Sequence, residues 1–239
     1  MIKSIEINPI ELCNRSCSFC PRSVGYPNSN YTMSLDTARQ INSRLAEYGY
    51  NQNITLCGFG EPLLHKNLSD LVKIIISGIS VNVVSITTNG DRLSKDVADE
   101  LSNAGVTKFN ISMYDEDREE YFTKMLDGYQ VDCRHYYNKP PTNEVNRIQI
   151  YKSSSDININ RGCNIPSYKF FLDWDGSGYL CSNDWNKSVT NGNVYTHTLD
   201  EMWHSDVMNT YREMLKNGRS RSPCSSCNVD GLLKGPNGE

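Results

Sequence analysis

The stretch Cys13-Asn14-Arg15-Ser16-Cys17-Ser18-Phe19-Cys20 places three thiols in a short loop that follows the first strand-like run of the chain. Three thiolates at this spacing can hold three corners of a 4Fe–4S cube. No fourth cysteine lies nearby, so one iron would remain for a ligand that is not part of the protein. A structural zinc site is the alternative, but zinc takes four ligands and the nearest histidine, His65, is far along the chain. The spacing therefore favours an iron–sulfur site.

Outward from this loop, strand-like runs alternate with helical patterns. The alternation argues for repeated β-α units around a parallel sheet. Only five to six units fit before residue 160, which excludes a closed eight-fold barrel. We therefore predict an α/β fold, a partial (open) β/α barrel, with a doubly wound flat sheet as the alternative. The predicted strands are Ile2–Ile10, Asn53–Cys57, Val81–Thr87, Thr107–Met113 and, more weakly, Tyr129–Cys133 and Arg147–Tyr151.

From Cys163 onward the pattern changes to a hairpin, with Asp175–Gly178 as its turn, and two short helices. A segment this small often needs a metal to stabilise it. Four thiols could form a closed site here, and their spacing alone does not distinguish zinc from an iron–sulfur cluster. We expect two domains, residues 1–160 and 161–239. The four cysteines of the second are Cys163, Cys181, Cys224 and Cys227.

Composition limits the classes of function. A net charge of −4 argues against a nucleic-acid partner, and no run approaches the roughly 18 apolar residues of a membrane span. The run Met1–Glu6 has no apolar signal region, so we expect a cytoplasmic protein without a membrane partner. In that setting nine cysteines are better explained as metal ligands or reactive thiols than as disulfides.

Three further segments follow predicted strands as the cysteine loop does. Gly58-Phe59-Gly60-Glu61-Pro62 comes after the second strand, Thr87-Thr88-Asn89-Gly90 after the third, and Ser112 ends the fourth. Each alone has an ordinary interpretation as a turn or loop. Because the carboxyl ends of parallel strands share one rim, and this rim is where such folds build their sites, the segments together predict one site.

The cysteine spacing, with Phe19 just before the last cysteine, resembles the radical S-adenosylmethionine (SAM) superfamily. The Gly58–Pro62 loop looks like that family's Gly-Gly-Glu-Pro motif with Phe59 replacing one glycine, and Thr88-Asn89-Gly90 looks like its Thr-Asn-Gly segment. The resemblance implies a 4Fe–4S cluster on Cys13, Cys17 and Cys20, cleavage of SAM to a 5′-deoxyadenosyl radical, and a low-potential electron donor such as flavodoxin or ferredoxin. The implied SAM-binding residues are Phe19, Gly58, Phe59, Gly60, Glu61, Pro62, Thr88, Asn89 and Ser112.

The segment from Cys163 to Cys227 resembles the shortened SPASM unit called Twitch, which implies an auxiliary 4Fe–4S cluster on the four C-terminal cysteines. Over nearly the whole chain the motif order is similar to a dehydrogenase of this family that oxidises a secondary alcohol of an aminocyclitol. Asn146-Arg147 stands where that enzyme has an Asn-Arg pair, which implies that Arg147 acts on the reacting hydroxyl. Arginine is a poor base, so we assign Arg147 an orienting role, with a surface salt bridge as the alternative. Residues 182–184 differ from the dehydrogenase, so we expect a different substrate.

Several functions remain open at this point. Oxidation of a secondary alcohol in a sugar- or cyclitol-like small molecule is the function that we expect, because a fully ligated second cluster can accept an electron. Epimerisation would need a thiol that returns hydrogen, and Cys57 and Cys133 are the spare thiols, although each is more simply a small buried hydrophobic residue. Peptide maturation and a non-catalytic zinc-binding module are further alternatives. We expect a monomer.

Overall fold

The computed structural model describes residues 1–136, 158–227 and 229–231. Its strands form one eight-stranded sheet in the order β5-β4-β3-β2-β1-β6-β7-β8. Neighbours from β5 through β6 pair in parallel, whereas β7 and β8 extend the sheet in antiparallel fashion. The strands are β1 (Ser4–Ile7), β2 (Asn53–Leu56), β3 (Val83–Thr88), β4 (Lys108–Met113), β5 (Gln130–His135), β6 (Lys169–Leu172), β7 (Ser177–Tyr179) and β8 (Thr190–Asn193).

Helices connect the parallel strands, and side chains define several helix ends. The Ser34 hydroxyl accepts a hydrogen bond from the Thr37 N–H at 3.0 Å, as its position before a helical pattern predicts. Asp115 also precedes a helical pattern, but its side chain makes no capping hydrogen bond and instead accepts from Arg15. The α-helices are α1 (Leu35–Tyr48), α2 (Leu68–Ile75), α3 (Lys95–Asn103), α4 (Glu119–Met125), α5 (Ile165–Tyr168), α6 (Leu199–Trp203) and α7 (Asp206–Leu215).

The two faces of the parallel strands differ in chemistry because successive side chains alternate between them. One face buries aliphatic side chains such as Ile5, Ile54 and Ile86 in a core shared with the helices. The opposite face is polar and lines a cavity of about 540 Å³. This arrangement confirms the partial, open barrel and not the doubly wound alternative, and the sheet does not close within the described residues. Every helix of the described ranges is too short or too polar to cross a membrane.

Candidate functional site

A cavity of about 190 Å³ lies at the carboxyl ends of the first four parallel strands. The sequence-predicted residues around it come together as expected from the shared rim, except Pro62, which is buried at the start of the turn that follows the loop. The sequence-predicted residues that line the cavity are Cys13, Cys17, Phe19, Cys20, Gly58, Phe59, Gly60, Glu61, Thr88, Asn89 and Ser112.

The three-cysteine loop is anchored to the loop that follows β3. Arg15 donates from Nε and Nη2 to the two carboxylate oxygens of Asp91, each at 2.6 Å, and Asn14 donates to the same carboxylate at 2.7 Å. Arg15 also reaches Asp115 at 2.7 Å, while Arg118 approaches Asp91 at 2.9 Å. Hydrogen bonds from Arg15 lower the pKa of Asp91, so this carboxylate stays charged. The network fixes the cysteine loop against two neighbouring strand ends.

The glycines of the Gly58–Pro62 loop are required by close approach of the loop that follows β1. A Cβ on Gly58 would lie 2.5 Å from the Asn8 side chain. A Cβ on Gly60 would lie 2.1 Å from the main-chain oxygen of Ile10. Between them, the Phe59 N–H donates to Asn8 Oδ1 at 3.1 Å. The loop therefore rests directly on the segment that leads into the cysteines.

Glu61 joins the loop after β2 to the loop after β3. Its side chain is buried, and one oxygen accepts from the Thr88 hydroxyl at 2.6 Å while the other accepts from the Asn89 N–H at 2.8 Å. Burial raises the pKa of the Glu61 carboxyl, and these hydrogen bonds counter the rise in part. The carboxylate thus holds the Thr88–Asn89 segment at the wall of the cavity.

Aromatic side chains form two walls of the same cavity. Phe19 stacks on Tyr114 and Tyr136 with ring centroids 5.6 and 5.8 Å apart. Phe59, which occupies the place of a motif glycine, packs edge-on against Trp185 at 4.9 Å. These rings give the cavity an apolar lining beside its polar rim, as sites for small molecules commonly have.

The donors in the cavity suit an iron–sulfur cluster. Burial, followed by the neighbouring thiols Cys20 and Cys13, raises the pKa of Cys17 to about 11. Such thiols need nearby positive charge to ionise, and bound iron supplies that charge. Three thiols can hold three irons of a cubane cluster, and Glu61, Asn89 and Ser112 line the same cavity with polar side chains.

The four C-terminal cysteines also line a single cavity. Cys163, Cys181, Cys224 and Cys227 surround one small, mainly apolar cavity together with Arg219. Burial and the neighbouring thiols raise the pKa of Cys224 to about 12. A Cβ on Gly231 would lie 2.1 Å from Cys163 Sγ, so the chain passes close to this thiol. Among the residues that the structure describes, no three His, Cys, Asp or Glu side chains are drawn together as they would be around a single metal ion.

Sequence reasoning missed several residues of the N-terminal cavity. Tyr114, Tyr136 and Trp185 line it without belonging to a recognised motif, and Arg15 lines it from between the motif cysteines. Cys57 lines it as well, whereas Cys133 lies on the edge strand β5 and packs against the core. Cys57 ends a predicted strand and Tyr114 directly follows another, so their place in the chain was a usable signal, whereas Tyr136 follows β5 only as the structure bounds that strand. Arg147 lies outside the described residues.

Comparisons with known proteins agree with this geometry. The model of the radical SAM superfamily matches residues 7–139, and that of an iron–sulfur cluster-binding domain, SPASM, matches residues 163–228. The SAM-dependent 2-deoxy-scyllo-inosamine dehydrogenase of Niallia circulans is 27% identical over 95% of this chain and 93% of its own. A GTP 3′,8-cyclase of Pectobacterium atrosepticum is 28% identical over 71% of this chain. The matched part covers half of that enzyme's length.

Solved structures show the same similarity. A crystal structure of BtrN in complex with AdoMet and 2-DOIA is 25% identical, covers 97% of this chain and 95% of its own, and superposes with a TM-score of 0.84. The enzyme anSMEcpe with bound AdoMet superposes with a TM-score of 0.67 over 94% of this chain and 88% of its own; at 13% identity it shares the fold.

The two matched domains identify the cofactors as SAM and two 4Fe–4S clusters. The N-terminal cavity, with three thiols and the rim loops, fits the first cluster with SAM, and the four-thiol cavity fits the second. Since the superfamily model spans more than half of the chain and the iron–sulfur domain follows it, the chain belongs to the radical SAM superfamily and carries an SPASM domain.

Proposed function

We propose that this radical SAM enzyme oxidises a secondary alcohol of a sugar- or cyclitol-like small molecule to a ketone. The observation that carries the proposal is the closed four-thiol site, in which the protein supplies every ligand and the cluster is left free to accept an electron. Similarity to the 2-deoxy-scyllo-inosamine dehydrogenase over nearly the full length of both chains supports the same reaction type.

We propose these roles for the residues of the first cavity. Cys13, Cys17 and Cys20 hold the first cluster, and the Gly58–Glu61 loop with Thr88, Asn89 and Ser112 binds SAM, which supplies a hydrogen-abstracting radical when bound. Phe19 and its two tyrosine neighbours shield the reacting centre from solvent and dissolved oxygen, since oxygen traps carbon radicals. Cys163, Cys181, Cys224 and Cys227 hold the second cluster. Arg147 orients the reacting hydroxyl.

The polar face of the sheet supports a hydroxyl-rich substrate. The large cavity on that face shares Thr87 with the SAM cavity, so a substrate there lies beside the radical source. Asn110, which is 4% exposed, lines the large cavity, and its Oδ1 accepts no hydrogen bond from any residue that the structure describes. A buried acceptor without a partner costs free energy, and hydroxyl or amino groups of a substrate would remove that cost.

The replacement Glu61→Ala should weaken SAM binding about ten- to a hundred-fold, since a charge-assisted hydrogen bond contributes roughly 1.5–3 kcal/mol. The physical reason is that the Thr88 hydroxyl and the Asn89 N–H lose their buried acceptor, so this wall of the cavity moves. Titration of SAM into the reconstituted enzyme measures the affinity, and iron content should stay at the wild-type level. An unchanged affinity would mean that the loop does not support SAM.

Epimerisation is the second candidate, and the place of Cys57 in the SAM cavity favours it. A thiol at this position could return hydrogen to a substrate radical. Cys133 packs against the core instead, so we propose no such role for it. The two reactions differ in product mass and in their dependence on this one thiol.

Incubation with candidate cyclitols and sugars under reducing, oxygen-free conditions separates the two reactions. Oxidation should give a product two hydrogens lighter, with one SAM consumed per turnover, and Cys57→Ala should leave product formation largely intact. Mass spectrometry of the product formed in deuterated water distinguishes the two reactions. An isomeric product that carries solvent deuterium, lost in Cys57→Ala while 5′-deoxyadenosine still forms, would replace oxidation by epimerisation.

We also propose that the enzyme acts in the cytoplasm as a monomer and takes electrons from a flavodoxin or ferredoxin. The low potential that SAM cleavage requires supports a donor of this kind. We propose a division into residues 1–160, which hold SAM, and residues 161–239, which hold the auxiliary cluster. The positions of the two family matches support this division.

A further inference from the structure

Lys187 of the C-terminal domain connects two buried carboxylates, Asp173 of its own domain and Glu11 of the SAM domain. Its Nζ lies 2.5 Å from Asp173 Oδ2 and also donates to Glu11 Oε1. Asp173 is 1% exposed and Glu11 is 3% exposed. The backbone φ of Lys187 is +52°, an unfavourable conformation for a residue that has a Cβ. Strain of this kind persists where the surroundings hold the residue in place.

Each of the two carboxylates supports part of the SAM cavity. Asp173 Oδ1 accepts from Asn8 Nδ2 at 2.7 Å, and Asn8 Oδ1 in turn accepts from the Phe59 N–H. Asp173 therefore fixes the orientation in which the Asn8 side chain accepts the hydrogen bond from the glycine loop. Glu11 stands two positions before Cys13, and its main-chain oxygen accepts from Arg22, which also donates to the Phe59 oxygen at 2.7 Å. Both loops thus depend on the two partners of Lys187.

The turn that contains Lys187 is hydrogen-bonded to Cys181 of the second cysteine group. The Asp184 N–H donates to the Cys181 oxygen at 3.0 Å, and the Lys187 N–H donates to the Asp184 oxygen at 2.9 Å. The buried Asp184 carboxylate accepts from the N–H groups of Ser188 and Val189 at 3.1 and 2.9 Å. This hydrogen-bonded turn places the Lys187 ammonium group between the two carboxylates.

We propose that Lys187 is a positioning residue through which the SPASM domain holds the glycine loop and the cysteine loop in their SAM-binding arrangement. Loss of its charge leaves two buried carboxylates without their shared cation. Without this bridge, Asp173 and Glu11 no longer hold Asn8 and the cysteine loop in place, and the two loops move. Lys187 does not itself line the SAM cavity, and its ammonium group lies 5.2 Å from the ring centroid of Phe59, which does.

Lys187→Met tests the proposal, with Lys169→Met as the matched control. Lys169 on β6 forms a largely buried ion pair with Glu6 on β1 at 2.7 Å, and neither residue lines the SAM cavity. Lys187→Met should bind SAM about ten-fold more weakly, whereas Lys187→Arg should stay within about two-fold of the wild type. Lys169→Met should lose comparable thermal stability and keep its SAM affinity. Affinity is followed by the change that SAM causes in the electron paramagnetic resonance spectrum of the reduced first cluster, with iron content measured alongside.

Wild-type SAM affinity in Lys187→Met, or an equal loss in Lys169→Met, would overturn the proposal. Should Lys187→Met not fold, the double variant Glu11→Gln, Lys187→Met removes the repulsion and still lacks the cation. Weakened SAM binding in that protein supports the proposal, and unchanged binding overturns it. SAM binding is measured without substrate, so the result is independent of the proposed oxidation.

Discussion

Replacing Cys13, Cys17 and Cys20 together by alanine should lower the iron content of the anaerobically reconstituted enzyme from about eight to about four per chain. The same protein should cleave no SAM, because the cluster with a free iron is gone. The physical reason is that these three thiols line one cavity and offer the donors for three irons. Iron and sulfide analysis with a 5′-deoxyadenosine assay measures both outcomes.

The complementary control replaces Cys224 and Cys227 by alanine. It should also retain about four irons, yet it should still cleave SAM to 5′-deoxyadenosine, since the first site is intact. Product formation should fall, because the electron acceptor is missing. Stoichiometric zinc in the C-terminal site after anaerobic purification, or SAM cleavage by the triple alanine variant, would contradict the assignment of two clusters.

Much of the barrel was predictable because local patterns specify it. The strands β2 to β5 lie within two residues of their predicted bounds. Ser34 and Ser94 cap their helices with side-chain hydrogen bonds. The shared rim followed from a general property of parallel sheets, so motifs far apart in sequence could be placed in one site.

Long-range packing set the limits of prediction. β6 pairs with β1 across 165 positions of sequence, as in the Ser4–Lys169 pair, so the C-terminal hairpin continues the barrel sheet. The hydrophobic pattern of a segment predicts that it forms a strand, but it does not predict which strand it pairs with. The Arg15–Asp91 and Lys187–Asp173 pairs were unpredictable for the same reason, since charged residues in loops usually face solvent. The proposed role of Arg147 stays a prediction.

Gly60→Ala should lower SAM affinity by more than about a hundred-fold. The added Cβ would lie 2.1 Å from the Ile10 oxygen and 2.6 Å from the Leu12 oxygen, where contacts below 3.0 Å do not occur. Both obstacles are main-chain atoms, so no side-chain rotation relieves the overlap. The two loops must separate by about 1 Å, and the hydrogen bond from the Glu61 N–H to the Leu12 oxygen, 2.8 Å long, is lost.

Gly49→Ala is the matched control for this substitution. Gly49 ends α1 with φ +66° and has open space around its Cβ position, so alanine there strains the backbone without a clash. It should lower the melting temperature by a few degrees, given a cost of about 1 kcal/mol, and leave SAM affinity unchanged. Gly60→Ala should retain the iron of the C-terminal cluster, because the four thiols there lie in a separate cavity. Wild-type SAM binding by Gly60→Ala would show that the loop after β2 does not press against the cysteine loop in the working enzyme.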